Sequence, residues 1–158
     1  MVNIALLFSI GCFSQIQVTS GDLESIVGTW EGRITYLDYQ TNEPFSMAAN
    51  LVVKKGRNEN TLILNNRYPT EPKANNSEKI KLSKNGTILN GHIVTQREEL
   101  ENGSIQIQTE HKGKDGNKKA LIRYTYEIDE SIFLIIKEVQ FGQGNEWIKR
   151  SELSYTRK

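Results

Sequence analysis

The stretch "SIVGTWEGRITYLDY", Ser25 to Tyr39, decides how this chain reads. From Gly28 onward it alternates, with Trp30, Gly32, Ile34 and Tyr36 on one face of an extended strand and Glu31, Arg33 and Thr35 on the other. That two-residue period belongs to a strand with one buried side. Gly-Thr-Trp-Glu-Gly at the mouth of this first long strand fits a strand rising from the floor of a closed barrel, with Trp30 plugging the bottom.

The rest of the chain repeats the theme. Asn85-Gly86, Asn102-Gly103 and Asp115-Gly116 are dipeptides that reach positive φ cheaply and close tight hairpins. Asp129-Glu130 and Gly142-Gln143-Gly144 supply two more reversals. Between them lie β-branched and aromatic runs, predicting strands near 28–39, 45–54, 61–65, 79–83, 87–96, 104–111, 119–128, 132–140 and 147–157. Phe45, Met47, Ala49, Leu51 and Val53 share one side of the second strand. "ALIRYTYEID" sets Ile122, Tyr124, Tyr126 and Ile128 against Leu121, Arg123, Thr125 and Glu127. "NNRYPTEPKANNSE", Asn65 to Glu78, carries two prolines and reads as a loop crossing one end. Helical periodicity is limited to a turn at Asp22 to Ile26. The fold class is therefore all-β, an antiparallel up-and-down barrel of about 8–10 strands, because closure removes the edges of so long a meander.

The 158 residues suit one domain, and 20 basic against 19 acidic residues leave a formal charge of +1. Such a balance gives no drive toward nucleic acid. Lys112, Lys114, Lys118 and Lys119 flank a Gly turn and read as a solvated hairpin tip. "IALLFSIGCF", Ile4 to Phe13, is too short to span a bilayer and reads as the apolar core of a secretory signal over 1–14, cut before Gln15. A lipoprotein signal that acylates Cys12 is the rival. Residues 15–22 then form a flexible leader and 23–158 the barrel. Cys12 is the only cysteine, so the exported body has no disulfide and no thiolate.

Gly28-Thr29-Trp30 resembles the Gly-x-Trp signature of the lipocalin and calycin superfamily, and "WIKRSELSYTRK", Trp147 to Lys158, is similar to the last strand of bacterial secreted lipocalin-like proteins. The resemblance implies that an Arg late in the barrel packs across the Trp of the first strand. Arg150 matches that role, so Gly28, Trp30 and Arg150 are expected to close the barrel, a guanidinium over an indole contributing roughly 0.5–2 kcal/mol. The central Thr-Asp-Tyr motif and the disulfide of the larger animal lipocalins are absent. So is the inward Arg-x-Tyr pair with which intracellular fatty-acid carriers hold a carboxylate; the order here is Tyr155-Thr156-Arg157.

Catalytic machinery is hard to find. His92 and His111 are the only histidines, lie in different predicted strands, and have no ligand-spaced partner for a metal; they read as partly exposed strand residues. No Gly-x-Ser-x-Gly elbow and no phosphate loop is present. Lys137 and Glu138 interrupt an apolar strand, so one of them points inward, where a charge needs a partner. An inward Asp38, Glu127 or Glu138 would seek Arg123, Lys137 or Arg150. The expected ligand wall is Tyr36, Asp38, Met47, Tyr124, Tyr126 and Lys137, polar groups orienting a ligand in an apolar pocket. The leading expectation is an exported, monomeric container for a small, largely apolar molecule, with no cofactor and no catalysis. A solid barrel acting at the cell envelope through the Asn65–Glu78 loop is the alternative, and an enzyme on the same scaffold the third.

Overall fold

The computed structural model describes residues 16–142, 144 and 146–158. The readings placed on residues 1–15, the signal and Cys12, lie outside the described residues. A short helix, α1 (Ser20–Glu24), precedes the strands β1 (Gly28–Leu37), β2 (Pro44–Ala48), β3 (Asn50–Lys55), β4 (Thr61–Arg67), β5 (Asn76–Lys81), β6 (Ile88–Leu89), β7 (His92–Glu99), β8 (Ile105–Asp115), β9 (Lys118–Ile128), β10 (Ile132–Phe141) and β11 (Ile148–Arg157). A 3-10 turn, Pro72–Ala74, lies between β4 and β5.

Every pairing is antiparallel, in the order β5-β4-β3-β1-β11-β10-β9-β8-β7-β6, with β2 also on β1. β2 and β3 act as one bent strand: Arg33 to Leu37 pair with β2, Gly28 to Trp30 pair with β3, and the Ala49 amide donates to the Gly32 carbonyl at 2.9 Å. The two ends of the path meet where Leu82 bridges Leu89, with Asn90 N–H donating to Lys81 O at 2.8 Å and Ser83 N–H to Ile88 O at 2.9 Å. The sheet is thus a nearly closed barrel. Beyond this short seam, the Asn76–Lys79 part of β5 faces a slot toward β7 with no ladder partner on that side among the described residues.

Cross-strand registers align the inward side chains in three lines around the wall. The lowest runs Ile105, Ile128, Phe133, Tyr155 and Gly32. The middle line runs Ile107, Tyr126, Ile135, Leu153, Ile34 and Met47. The upper line runs Thr109, Tyr124, Lys137, Ser151, Tyr36 and Phe45. The chain buries its large apolar groups low and keeps hydroxyls and one ammonium high.

The floor is filled. Trp30 is fully buried, its Nε1–H donates to Ile26 O at 2.8 Å, and its ring lies 6.1 Å from that of Phe133. Arg157 covers it, with the guanidinium carbon 4.3 Å from the ring centroid and donors on the carbonyls of Ser25, Val27 and Glu130. The expected partner, Arg150, is not there. Arg157 stands directly opposite Trp30 in the β1–β11 register, whereas Arg150 lies seven residues toward the other end, roughly 23 Å of extended chain away. The closure exists, made by a different arginine.

The flexible leader expected for residues 15–22 is corrected over 16–22. Thr19 and Asp22 form a reciprocal capping box that starts α1. Val18 and Leu23 are buried, Val18 N–H donates to Gly86 O, and Asp22 accepts two bonds from Arg97 of β7, at 2.7 and 3.0 Å. Burial pushes the Asp22 carboxyl up, but the bonds from Arg97 and the Thr19 amide outweigh it and hold it below the usual range. Two boundaries also differ. The predicted strand 87–96 turns back at Asn90-Gly91, both at positive φ, which separates β6 from β7. The predicted loop 65–78 shrinks to 68–75, because Asn66, though polar and buried, satisfies its amide on Asn76 Oδ1 at 2.7 Å.

Candidate functional site

Above the filled floor, inside the barrel, lies a cavity of about 220 Å³. Its far wall is Tyr124, Tyr126, Ile135 and Leu153; its near wall is Leu64, Glu78 and Ile80, with Asn90 and His92 where the slot opens. Apolar groups of the middle line form one end and the hydroxyl of Tyr124 leads to the polar upper line. Tyr126 is buried, which pushes its phenol up to about 12, and its oxygen accepts from Asn90 Nδ2 at 3.5 Å.

At the upper end a single carboxylate gathers three side chains. Asp115, almost wholly buried, accepts from Lys137 Nζ at 2.7 Å and Tyr39 Oη at 2.7 Å on Oδ1, and from Arg150 Nε at 2.8 Å on Oδ2. Burial raises its carboxyl, yet the bonds from Lys137 and Tyr39 and the two positive charges hold it below the ordinary value. Lys137 shows the complement: burial draws the ammonium down, and the Asp115 bond returns it to above its usual value. Arg150 also lies over the rings of Tyr39 and Phe141, at 4.9 and 5.8 Å.

Arg150 reaches this cluster because of a bulge. Lys137 pairs with Ser151 and Glu138 with Lys149, so Arg150 has no partner in the ladder. An extra residue in one strand changes which face the following side chains take, so simple alternation along β11 fails here.

Between cavity and cluster stand three flat side chains. His92 and His111 stack at 3.6 Å between centroids, and Tyr124 lies parallel to both at 6.2 Å. Burial, then the charges of His92 and Lys137, push His111 below its ordinary value and favour the neutral ring. Two buried polar atoms here have no partner among the described residues: Thr109 Oγ1 and His111 Nδ1.

Five of the six expected ligand residues fall on two adjacent lines: Tyr36, Tyr124 and Lys137 above, Met47 and Tyr126 below. Asp38 does not join them. Its Oδ1 accepts from the Gln40 and Thr41 amides and the Thr41 hydroxyl, so it serves the β1–β2 turn. These local bonds also lower its carboxyl. Tyr36 packs against Phe45 near the rim, ring centroids 5.4 Å apart and planes tilted by 48°.

The sequence reading missed Asp115, Thr109 and the inward histidines. The acid that Lys137 and Arg150 seek is neither Asp38, Glu127 nor Glu138; Arg123 pairs with Glu110 at 2.7 Å and, as one of the expected pairings had it, with Glu138 at 3.9 Å. By sequence, Asp115-Gly116 reads as a hairpin tip. The turn instead comprises Gly116 and Asn117, at φ 53° and 65°, leaving Asp115 as the last inward residue of β8. The parity of Ile107, Thr109, His111 and Asp115 carries that signal.

No protein-family model matches the sequence, and no curated protein matches it. Among solved structures, the chain is similar to Rv2717c from M. tuberculosis, at 13% identity and TM-score 0.50, over 90% of this chain and 99% of that one. It is also similar to a protein with unknown function of the DUF3598 family from Nostoc punctiforme, at 10% identity and TM-score 0.41, where it spans half of the other chain's length. What is shared with Rv2717c is the fold.

Proposed function

We propose that this protein is a container that holds a compact, largely apolar molecule in the upper half of its barrel without transforming it. One observation carries the reading: a chamber of about 220 Å³ persists, and behind its lining residues Tyr124 and His92 two buried polar atoms, Thr109 Oγ1 and His111 Nδ1, have no partner among the described residues. A core packed only for stability fills such space and pairs such atoms. The slot between β5 and β7 gives a route inward. The Gly-x-Trp opening and the Arg–Trp floor support a lipocalin-like scaffold, and the apolar run Ile4 to Phe13 supports an exported setting.

Size favours a second reading. The chamber is smaller than the roughly 300 Å³ at which drug-sized sites begin. A barrel that is effectively solid would act through its surface, as an interaction protein of the cell envelope. Native mass spectrometry of the protein purified from its own source separates the two. A co-purifying small molecule, lost on denaturation, supports the container. A clean apo mass, with no uptake from a panel of small apolar compounds, overturns it in favour of the solid barrel.

A further inference from the structure

The barrel wall has a notch. Lower down, β6 and β7 stand between β5 and β8, but both stop at the Asn90-Gly91 turn. Asn90 lies beside Lys81 there, and the last β7–β8 pair toward that end is Ile93 with Glu110. Beyond the turn β5 continues over Asn76–Lys79 and β8 over Lys112–Asp115. Among the described residues each is paired on one side only, to β4 and to β9. Two missing strands make the opening about 14 Å across, three inter-strand spacings.

Both walls turn free backbone groups into this notch. Lys81 gives its N–H to the Asn90 side chain and accepts the Asn90 amide, so Lys79 and Ser77, at the same parity, face the same way. On β8, the two-residue turn Gly116-Asn117 is closed by Asp115 and Lys118, whose backbone groups bond each other. Gly113 and His111 follow Asp115 toward β9, which leaves Lys112 and Lys114 facing the notch.

The side chains around it are cationic. Ile80 and Asp115 are buried, so Lys79 and Lys81 on one wall and Lys112 and Lys114 on the other project outward, and all four are exposed. None of the four has an ion-pair partner among the described residues. The acids next to them in the strands are committed elsewhere: Glu110 bonds Arg123, and Glu78 lines the chamber. The formal charge of +1 conceals this local excess. Lysines on an edge deter pairing between copies, because each copy would set lysine against lysine. The same lysines attract a strand of opposite charge.

We propose that the notch docks an extended acidic segment of another protein, added antiparallel along Lys112–Asp115 of β8. Its acidic side chains lie outward against Lys112 and Lys114, and its alternate, apolar side chains point inward. The main-chain ladder supplies affinity and the lysines supply selection. The inference concerns the wall and holds whether or not the chamber is occupied.

The probe is a blocked, fluorescently labelled seven-residue peptide alternating glutamate with valine, titrated by anisotropy at pH 7.5 and low salt and followed by amide NMR. It is expected to bind at least tenfold more tightly than its glutamine-for-glutamate counterpart and to weaken as salt rises. The Lys112 and Lys114 amides should shift more than those of Lys118 and Lys119. N-methylation of the peptide's glutamate amides, which face β8 in this arrangement, should abolish binding with no change of charge. The double variant Lys112→Glu with Lys114→Glu, at two exposed positions, should keep the wild-type melting temperature and prefer the lysine-for-glutamate peptide. Equal binding of the glutamate and glutamine peptides, or none of either, would overturn the proposal. So would undiminished binding of the N-methylated peptide, which would make the lysines a general anion surface.

Discussion

A Cβ placed on Gly28 would stand 2.4 Å from Nη1 of Arg157. The glycine that begins the Gly-x-Trp stretch thus makes room for the arginine that ends the barrel, and its φ of 144° lies where other residues are strained. Sequence ends 129 residues apart are fitted to each other at the floor, with the Trp30 indole beneath the guanidinium.

Gly28→Ala is therefore expected to destabilise by about 1–3 kcal/mol, through backbone strain and displacement of Arg157. Arg157→Ala should cost about 1–2 kcal/mol, from the lost indole contact and the carbonyls it satisfies. In the double variant the steric part disappears, so the combined loss should fall short of the sum. Urea titrations of the four proteins measure this. Strict additivity would place the strain in the backbone alone.

Asp115→Asn is expected to be among the most damaging polar substitutions, at about 3–5 kcal/mol, because it leaves Lys137 and Arg150 poorly compensated in a half-dry site. Arg150→Ala should cost less, since Lys137 and Tyr39 still hold the carboxylate. In a Trp147→Phe background, Trp30 emission should stay unmoved by Arg150→Ala and shift with Arg157→Ala. The reverse would restore Arg150 to the floor.

Acid should expose the same carboxylate. Its folded value lies below the ordinary 3.8, so its contribution is complete above that pH and is lost as pH falls through the lowered folded value. Wild-type stability should drop steeply below about pH 4, and the slope there should flatten in Asp115→Asn. Denaturant midpoints measured from pH 5 to pH 2.5 decide it.

Why some of this was legible and some not follows from how far each signal reaches. Alternation along β1, β2 and β9 is local, so the inward set Trp30, Ile34, Tyr36, Met47, Tyr124 and Tyr126 could be read directly, and with it the barrel. Asn90-Gly91 obeys the same turn chemistry as Asn85-Gly86 but is masked by the β-branched residues on either side, which read as one continuous strand. Arg150 is a different case. Its inward reach depends on a bulge against β10, and a bulge arises from pairing between distant strands, which no single strand displays. Asp115 was hidden by a one-residue shift in the turn, enough to exchange tip for wall.

The histidine pair yields the last prediction. His111 is held below the ordinary 6.5, first by burial and then by His92 and Lys137, so the native state resists a proton that the unfolded chain accepts. For a base shifted this way, stability is complete above pH 6.5 and declines as pH falls toward the lowered value. His111→Phe keeps a flat ring on His92 and cannot be protonated. Wild type should thus lose stability between pH 7.5 and pH 5, and the variant distinctly less. The variant also removes the unpartnered Nδ1, so at pH 7.5 it should match or exceed wild type. Urea midpoints at the two pH values test both statements. Parallel losses in the two proteins would show that the stacked pair is not what titrates.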